Sequence, residues 1–173
     1  AHEYFSEALN LARQLGSQDL EVQSLTSLGV THSASDQQKA FDYYSEALAR
    51  LSGLKQPSRE AYLLNGLGGL YWQKGEPQQA LTSHQKALAL HTSIGDRRGE
   101  AGTLLQIARI LRSLGETDRA LEYLNRSLTL HRAIGYRLGE TEALTLLGAT
   151  YLSSDKPQEA ITYFQQVLEI ARE

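Results

Sequence analysis

Apolar residues recur along this chain at intervals of three and four positions, which places them on one face of an α-helix. One such stripe, near the middle of the chain, consists of Leu104, Ile107, Ile110 and Leu111. No stretch alternates apolar and polar residues in the two-residue rhythm of a half-buried β-strand. The pattern therefore predicts an all-α fold.

The helical pattern returns about every forty residues. Small residues stand 39, 40 and 40 positions apart, at Gly29, Gly68, Ala108 and Gly148. Three further series keep the same register: Ala40, Ala80, Ala120 and Ala160; Leu25, Leu64, Leu104 and Leu144; Glu21, Glu60, Glu100 and Glu140. Coincident series of this kind indicate an internal repeat, and each unit is long enough for two helices.

Short turns are predicted between the helices. Gly75 and Gly115 suit a helix end in the left-handed conformation, and Pro77 and Pro157 suit the first turn of the helix that follows. Because a single helix pair cannot bury both of its faces, we expect the pairs to stack.

The predicted division is a single array over 1–173. Residues 1–16 form the second helix of an earlier repeat, and four full repeats follow at 17–54, 55–94, 95–134 and 135–173. Because the pattern starts within a repeat and no polar capping helix follows the last one, we expect the chain to be a fragment of a longer protein.

Two groups of residues resemble the signature of the tetratricopeptide repeat. They are Leu64, Leu67, Gly68, Tyr71, Ala80 and Ala87, and then Leu144, Leu147, Gly148, Tyr151, Ala160 and Phe164. The resemblance covers essentially the whole chain, although the usual period is about 34 residues. The longer period is similar to that of Pins/LGN-type scaffolds and of tetratricopeptide arrays in bacterial multidomain signalling proteins. The resemblance implies an all-α, right-handed superhelical solenoid of antiparallel helix-turn-helix repeats.

The resemblance also implies a concave groove, lined by the first helix of each repeat, that binds a peptide or a partner domain. Helical phase places eight residues beside the packing stripe: Tyr62, Asn65, Trp72, Leu105, Arg109, Arg112, Glu142 and Thr145. We expect Trp72 to anchor an apolar side chain, Asn65 to bond a peptide backbone, and the two arginines to meet a carboxylate.

Composition and motifs exclude several chemistries. The chain is 41% hydrophobic and 21% charged, with a net charge of −3, and it has no cysteine for a disulfide or a thiolate. The histidines lack carboxylates at metal-ligand spacing, so no metal or cofactor is expected. The run Gly66–Gly69 lacks the residues of a phosphate-binding loop; close packing explains Gly68, whereas Gly66 and Gly69 have no explanation from sequence. No catalytic set is readable, so we do not expect an enzyme.

The charge distribution bears on the partner. Residues 96–139 hold eight arginines against five acidic residues, which favours an acidic peptide. No basic stripe interleaved with aromatic residues suggests nucleic acid, and no apolar run approaches the roughly 20 residues of a membrane span. The sequence thus predicts a cytoplasmic, non-catalytic scaffold with the option of end-to-end self-association. The alternative is a sensor or spacer arm that regulates a protease-like or nucleotide-switch domain elsewhere in the same protein.

Overall fold

The structure is a computed structural model that describes residues 2–172; Ala1 and Glu173, the outermost residues of the predicted array, lie outside it. Over the described residues the chain forms nine α-helices and no strand, so the predicted all-α class is confirmed. The helices are α1 (His2–Gln14), α2 (Gln18–His32), α3 (Gln37–Leu51), α4 (Pro57–Gln73), α5 (Pro77–Ser93), α6 (Arg97–Ser113), α7 (Thr117–Ala133), α8 (Arg137–Ser153) and α9 (Pro157–Arg172).

The helices fall into two compact units, Ala1–Leu90 (unit 1) and His91–Glu173 (unit 2). In unit 1, α1 packs on α2, α2 on α3, and α3 on α4. In unit 2, α6 packs on α7, α7 on α8, and α8 on α9, and α6 also contacts α8. Each unit has its own core, formed mainly by leucine and alanine side chains.

The turns follow the chemistry that the sequence predicts. Gly75 and Gly115 have positive φ angles of 76° and 77°, and α5 and α9 begin at Pro77 and Pro157. The corresponding turn before α9 uses Asp155, with φ of 57°. Aspartate tolerates this left-handed conformation better than most residues other than glycine.

The series of small residues is explained by close contact between helices. A Cβ atom built on the glycine would lie 2.5 Å from the Tyr44 ring at Gly29, 2.7 Å from the His84 ring at Gly68, and 2.7 Å from the Phe164 ring at Gly148. In each pair the glycine lies on the first helix of a repeat and the ring on the second. The small residue therefore makes the space that the ring fills.

Tyr44 also explains Gly66, for which the sequence offered no reason. A Cβ on Gly66 would lie 2.7 Å from the Tyr44 ring, so this ring packs against glycines of both α2 and α4. A Cβ on Gly69, by contrast, would meet nothing within 4 Å. Packing thus requires Gly66 and Gly68 but not Gly69.

His91 and His131, one period apart, take equivalent structural places. Both are buried, and each ring lies against a glycine in the first turn of the following helix, Gly99 for His91 and Gly139 for His131. The Nδ1 atom of His91 is 2.8 Å from Oδ2 of Asp96. Their burial and their shared glycine contact indicate that these two histidines are repeated structural residues.

Replacing the neighbouring glycines Gly68 and Gly69 by alanine is expected to change the free energy of unfolding in opposite directions. Gly68→Ala forces its methyl group into the buried His84 ring and lowers the free energy of unfolding by about 1–3 kcal/mol. Gly69→Ala meets open space and gains up to about 1 kcal/mol from the higher helix propensity of alanine. Urea unfolding at neutral pH measures both. A shift of the same sign in the two variants contradicts the packing argument.

Candidate functional site

A recess of unit 1 lies along α2 and α4. Two adjoining cavities, of about 360 and 230 Å³, share Thr26, Ser27 and Tyr62 in their walls. We call them together the unit 1 groove; it is lined by Phe5, Gln23, Thr26, Ser27, Val30, Thr31, Ser58, Arg59 and Tyr62. The lining residues come from α2 and α4, together with Phe5 of α1.

The floor of the groove is less polar than its residue types suggest. The Thr26 hydroxyl donates to the Val22 carbonyl at 2.6 Å, and the Thr31 hydroxyl donates to the Ser27 carbonyl at 2.9 Å. These hydroxyls are satisfied by their own helix, which leaves the methyl groups of the threonines beside Val30. The side of the groove near α1 is therefore largely apolar.

The rim of the groove on α4 is polar and fixed. Arg59 forms an ion pair with Asp19 of α2, and the Gln56 side chain donates to the same carboxylate at 3.0 Å. These two hydrogen bonds hold the pKa of Asp19 below its ordinary value. The charge of the Arg59 guanidinium is thus already matched by Asp19, so Arg59 forms part of the groove wall without offering an unpaired positive charge.

The predicted residues of unit 1 lie in three different settings. Tyr62 is 52% exposed and lines both cavities of the groove. Trp72 is 40% exposed farther along α4 and lines neither of them. Asn65 is half-buried, and its Oδ1 atom is 2.9 Å from Nδ1 of His84 on α5. The carbonyl oxygen of Asn65 therefore supports the buried histidine instead of facing an open surface.

His84 is held in its neutral form by its surroundings. Its ring is 3% exposed, between Gly68 and Asn65. Burial lowers the pKa of His84 from 6.5 to about 4, because the charged imidazolium cannot be solvated there. His84 is therefore a structural residue between α4 and α5.

In unit 2 the predicted residues lie on α6 and α8. Arg109 forms an ion pair with Glu142, which joins the exposed sides of these two helices. Thr145 is exposed, and its hydroxyl donates to the Thr141 carbonyl at 2.8 Å. Arg112 is exposed and makes no ion pair or hydrogen bond within residues 2–172. Of the two predicted arginines, only Arg112 thus keeps its charge unmatched.

The prediction that Leu105 is exposed to the groove is wrong. Leu105 is 1% exposed and belongs to the core of unit 2, together with Leu128 and Ala143. The reason is that α8 packs directly on α6, which widens the buried face of α6 beyond the stripe read from the sequence. The corresponding position on α8, Thr145, stays exposed.

The excess of arginine in the middle of the chain is largely matched by acidic side chains within unit 2. The ion pairs are Arg119–Glu116, Arg126–Glu100 at 3.8 Å, and Arg132 and Arg137 with Glu140 at 2.8 and 3.7 Å. The guanidinium of Arg98 lies 4.5 Å from the centre of the Tyr136 ring. Net charge alone therefore overstates how basic this surface is.

Sequence reasoning missed part of the groove. Phe5 and Val30 line it, yet neither was among the predicted site residues. A signal was present, since the α2 lining residues follow one another at steps of three and one, the spacing of a single helix face; they are Gln23, Thr26, Ser27, Val30 and Thr31. The predicted site residues lie on α4, α6 and α8, and none of them lies on α2.

Stacked helix pairs with a groove along their first helices define an α-helical repeat protein. A model of the tetratricopeptide repeat family matches residues 59–133 and 99–173. The chain belongs to the tetratricopeptide repeat family, as its signature residues indicated. Repeats of this family are generally modules that bind other proteins or peptides.

Solved structures share this fold at low sequence identity. BtubC from P. vanneervenii is 22% identical, with a TM-score of 0.85 over 99% of this chain and 72% of that one. A second structure is a STAND protein (signal transduction ATPase with numerous domains) from Pyrococcus horikoshii that has a tetratricopeptide repeat sensor. It is 15% identical, with a TM-score of 0.88 over 99% of this chain and 27% of that one. A kinesin light chain-like repeat protein from Podosopora anserina is 16% identical, with a TM-score of 0.78 over 98% and 85%. No curated protein matches the chain significantly.

Residues 2–172 contain no group of three or more histidine or acidic side chains arranged to hold a metal ion. No helix in this range combines the length and the apolar character needed to cross a membrane.

The buried His84 is expected to make unit 1 sensitive to acid. The unfolded chain takes up a proton here near pH 6.5, whereas the folded chain does so only near pH 4, so this histidine lowers the free energy of unfolding as the pH falls between these values. The full loss is about 3 kcal/mol. His84→Phe, which copies Phe164, removes that part of the pH dependence.

Urea unfolding of wild type and His84→Phe at pH 7 and pH 4.5 measures the difference. Other titrating groups are shared by the two proteins and cancel in the comparison. Equal losses of stability in both proteins on acidification contradict the assignment of a neutral, buried His84.

Proposed function

We propose that this chain is a non-catalytic module that binds a peptide segment or a partner domain of another protein. The observation that carries the proposal is the unit 1 groove, whose apolar floor is exposed beside a half-exposed tyrosine. Val30 and Tyr62 are 46% and 52% exposed, and both line the cavity that Phe5 closes on one side. Exposed aromatic side chains beside a recess are typical anchors of protein interfaces.

The shape of the groove suits a narrow ligand. It runs between two helices and combines an apolar side with a polar rim that includes Gln23 and Ser58. An extended or helical peptide places apolar side chains on the floor and its backbone near the rim. Trp72, also exposed on α4, offers a further aromatic contact in unit 1.

Unit 2 contributes a second proposed contact surface, made of Arg109, Arg112, Glu142 and Thr145. Arg112 is its unmatched charge, so an acidic side chain of the partner is the complement that we propose there. Nucleic acid and membranes are not proposed as partners, because most of the arginines of unit 2 are paired with acidic side chains. A cytoplasmic location and end-to-end self-association of the array over 1–173 complete the proposal.

A second candidate function is a sensor or spacer arm within a larger regulatory protein. The specific support is the STAND protein, whose description includes a tetratricopeptide repeat sensor and whose structure superposes on 99% of this chain. The period of forty residues also resembles the Pins/LGN-type and bacterial signalling subclass. In this alternative, the grooves contact an effector domain of the same protein.

Site-specific photo-crosslinking tests the groove. A benzophenone amino acid is placed at Tyr62 and, as a matched control with the same 52% exposure, at Ile161 of unit 2. Because the partner is expected to occupy the unit 1 groove, irradiation in a lysate of the source organism should yield a discrete adduct at position 62. Val30→Asp should abolish that adduct, since it places a charge on the apolar floor.

The pattern of adducts separates the alternatives. Adducts only at position 161 contradict the groove and favour binding through α9. Arg112→Glu, compared with Arg97→Glu as an exposed arginine outside the predicted site, should weaken capture by several-fold if the partner is acidic. Equal capture by both variants contradicts the role of Arg112.

A further inference from the structure

A separate cavity of unit 1, of about 400 Å³, lies where α3 ends and the chain turns into α4. Leu48, Leu51, Leu54 and Leu64 contribute apolar side chains to its wall, although the lining that solvent reaches is more polar than apolar. Two exposed charged side chains also line it, Glu60 of α4 and Lys86 of α5. Its volume falls within the range of cavities that hold small ligands. None of its lining residues belongs to the unit 1 groove.

The repeat register shows what occupies the equivalent place in unit 2. A step of two periods relates Ser52 to Arg132, Glu60 to Glu140, and Lys86 to Gln166. There, Nε of Arg132 donates to Oε1 of Glu140 at 2.8 Å, and Nη2 donates to Oε1 of Gln166 at 2.7 Å. In unit 2 the guanidinium of Arg132 thus links α8 to α9. The counterparts of these helices in unit 1 are α4 and α5, which line the cavity.

Unit 1 lacks this internal bridge for two reasons. Ser52 is too short to reach, and α3 ends at Leu51, whereas α7 continues to Ala133, two residues farther in the register. Within residues 2–172, Glu60 forms no ion pair with Lys86 or with another residue. The pair one period later, Glu100 and Arg126, does come together, at 3.8 Å.

The two charges restrict the chemistry of a ligand. A simple cation bound at Glu60 would be repelled by the ammonium group of Lys86. The corresponding residue of unit 2, Gln166, is neutral. A simple anion bound at Lys86 would face the carboxylate of Glu60. A ligand that carries both an ammonium and a carboxylate group matches both side chains, and an aliphatic group matches the leucines.

We propose that this cavity binds a free α-amino acid with an aliphatic side chain. The ammonium group pairs with Glu60, the carboxylate with Lys86, and the side chain packs among the leucines. The site does not depend on partner binding, so either proposal can fail while the other stands.

Isothermal titration calorimetry with three related probes tests the site. L-Leucine carries both charges, L-leucinamide only the cation, and 4-methylpentanoate only the anion. L-Leucine should bind with a Kd of about 1 mM or below, and each of the other probes at least about tenfold more weakly. No heat of binding with L-leucine up to about 10 mM overturns the proposal. Equal binding of L-leucinamide overturns the role of Lys86 and with it the zwitterion.

Variants locate the binding in this cavity. Glu60→Gln and Lys86→Gln should each weaken L-leucine binding at least about tenfold, whereas Lys156→Gln, an exposed lysine of unit 2, should leave it unchanged. Equal losses of L-leucine binding in the Lys86→Gln and Lys156→Gln variants, or unchanged binding in Glu60→Gln, overturn the proposal.

Discussion

In three of the four repeats, the contact between a glycine on the first helix and a large ring on the second is the constraint on which the helix packing depends. Where the glycine lacks a Cβ, the ring of Tyr44, His84 or Phe164 fills the space and brings the two helix backbones close together. Because protein interiors are packed as densely as organic crystals, neither partner can change size without moving the other. The remaining positions can vary as long as this contact is kept.

The same constraint decides which surfaces stay open. A first helix packs on its partner helix and on the second helix of the preceding repeat, as α4 does on α3 and α8 does on α7, so only the remaining positions reach solvent. In unit 1 these positions form the groove around Tyr62. In unit 2 the direct packing of α8 on α6 closes one of them, Leu105, and brings Arg109 against Glu142.

The fold could be predicted from the sequence because its signals are local and repeated. The apolar stripes, the turn glycines and the prolines at helix starts act within a few residues, and each appears several times. The site was less predictable. Leu105 and Thr145 share one repeat position yet differ in burial, and the Arg109–Glu142 pair joins residues 33 positions apart. Such differences arise from contacts between helices, which a single stripe of sequence does not encode.

Repetition also explains how neighbouring units of one scaffold acquire different chemistry. Position 52 and its counterpart 132 take no part in the glycine–ring contact, so serine at one and arginine at the other leave the helix packing intact. The arginine closes a space by bridging Glu140 and Gln166, whereas the serine leaves a cavity with two unmatched charges. Tyr62 is likewise outside the packing contact, since more than half of it is exposed. Because the polar residues of the recesses, such as Glu60, Lys86 and Tyr62, lie outside the hydrophobic core, a loss of binding on replacing them can be measured without a loss of fold.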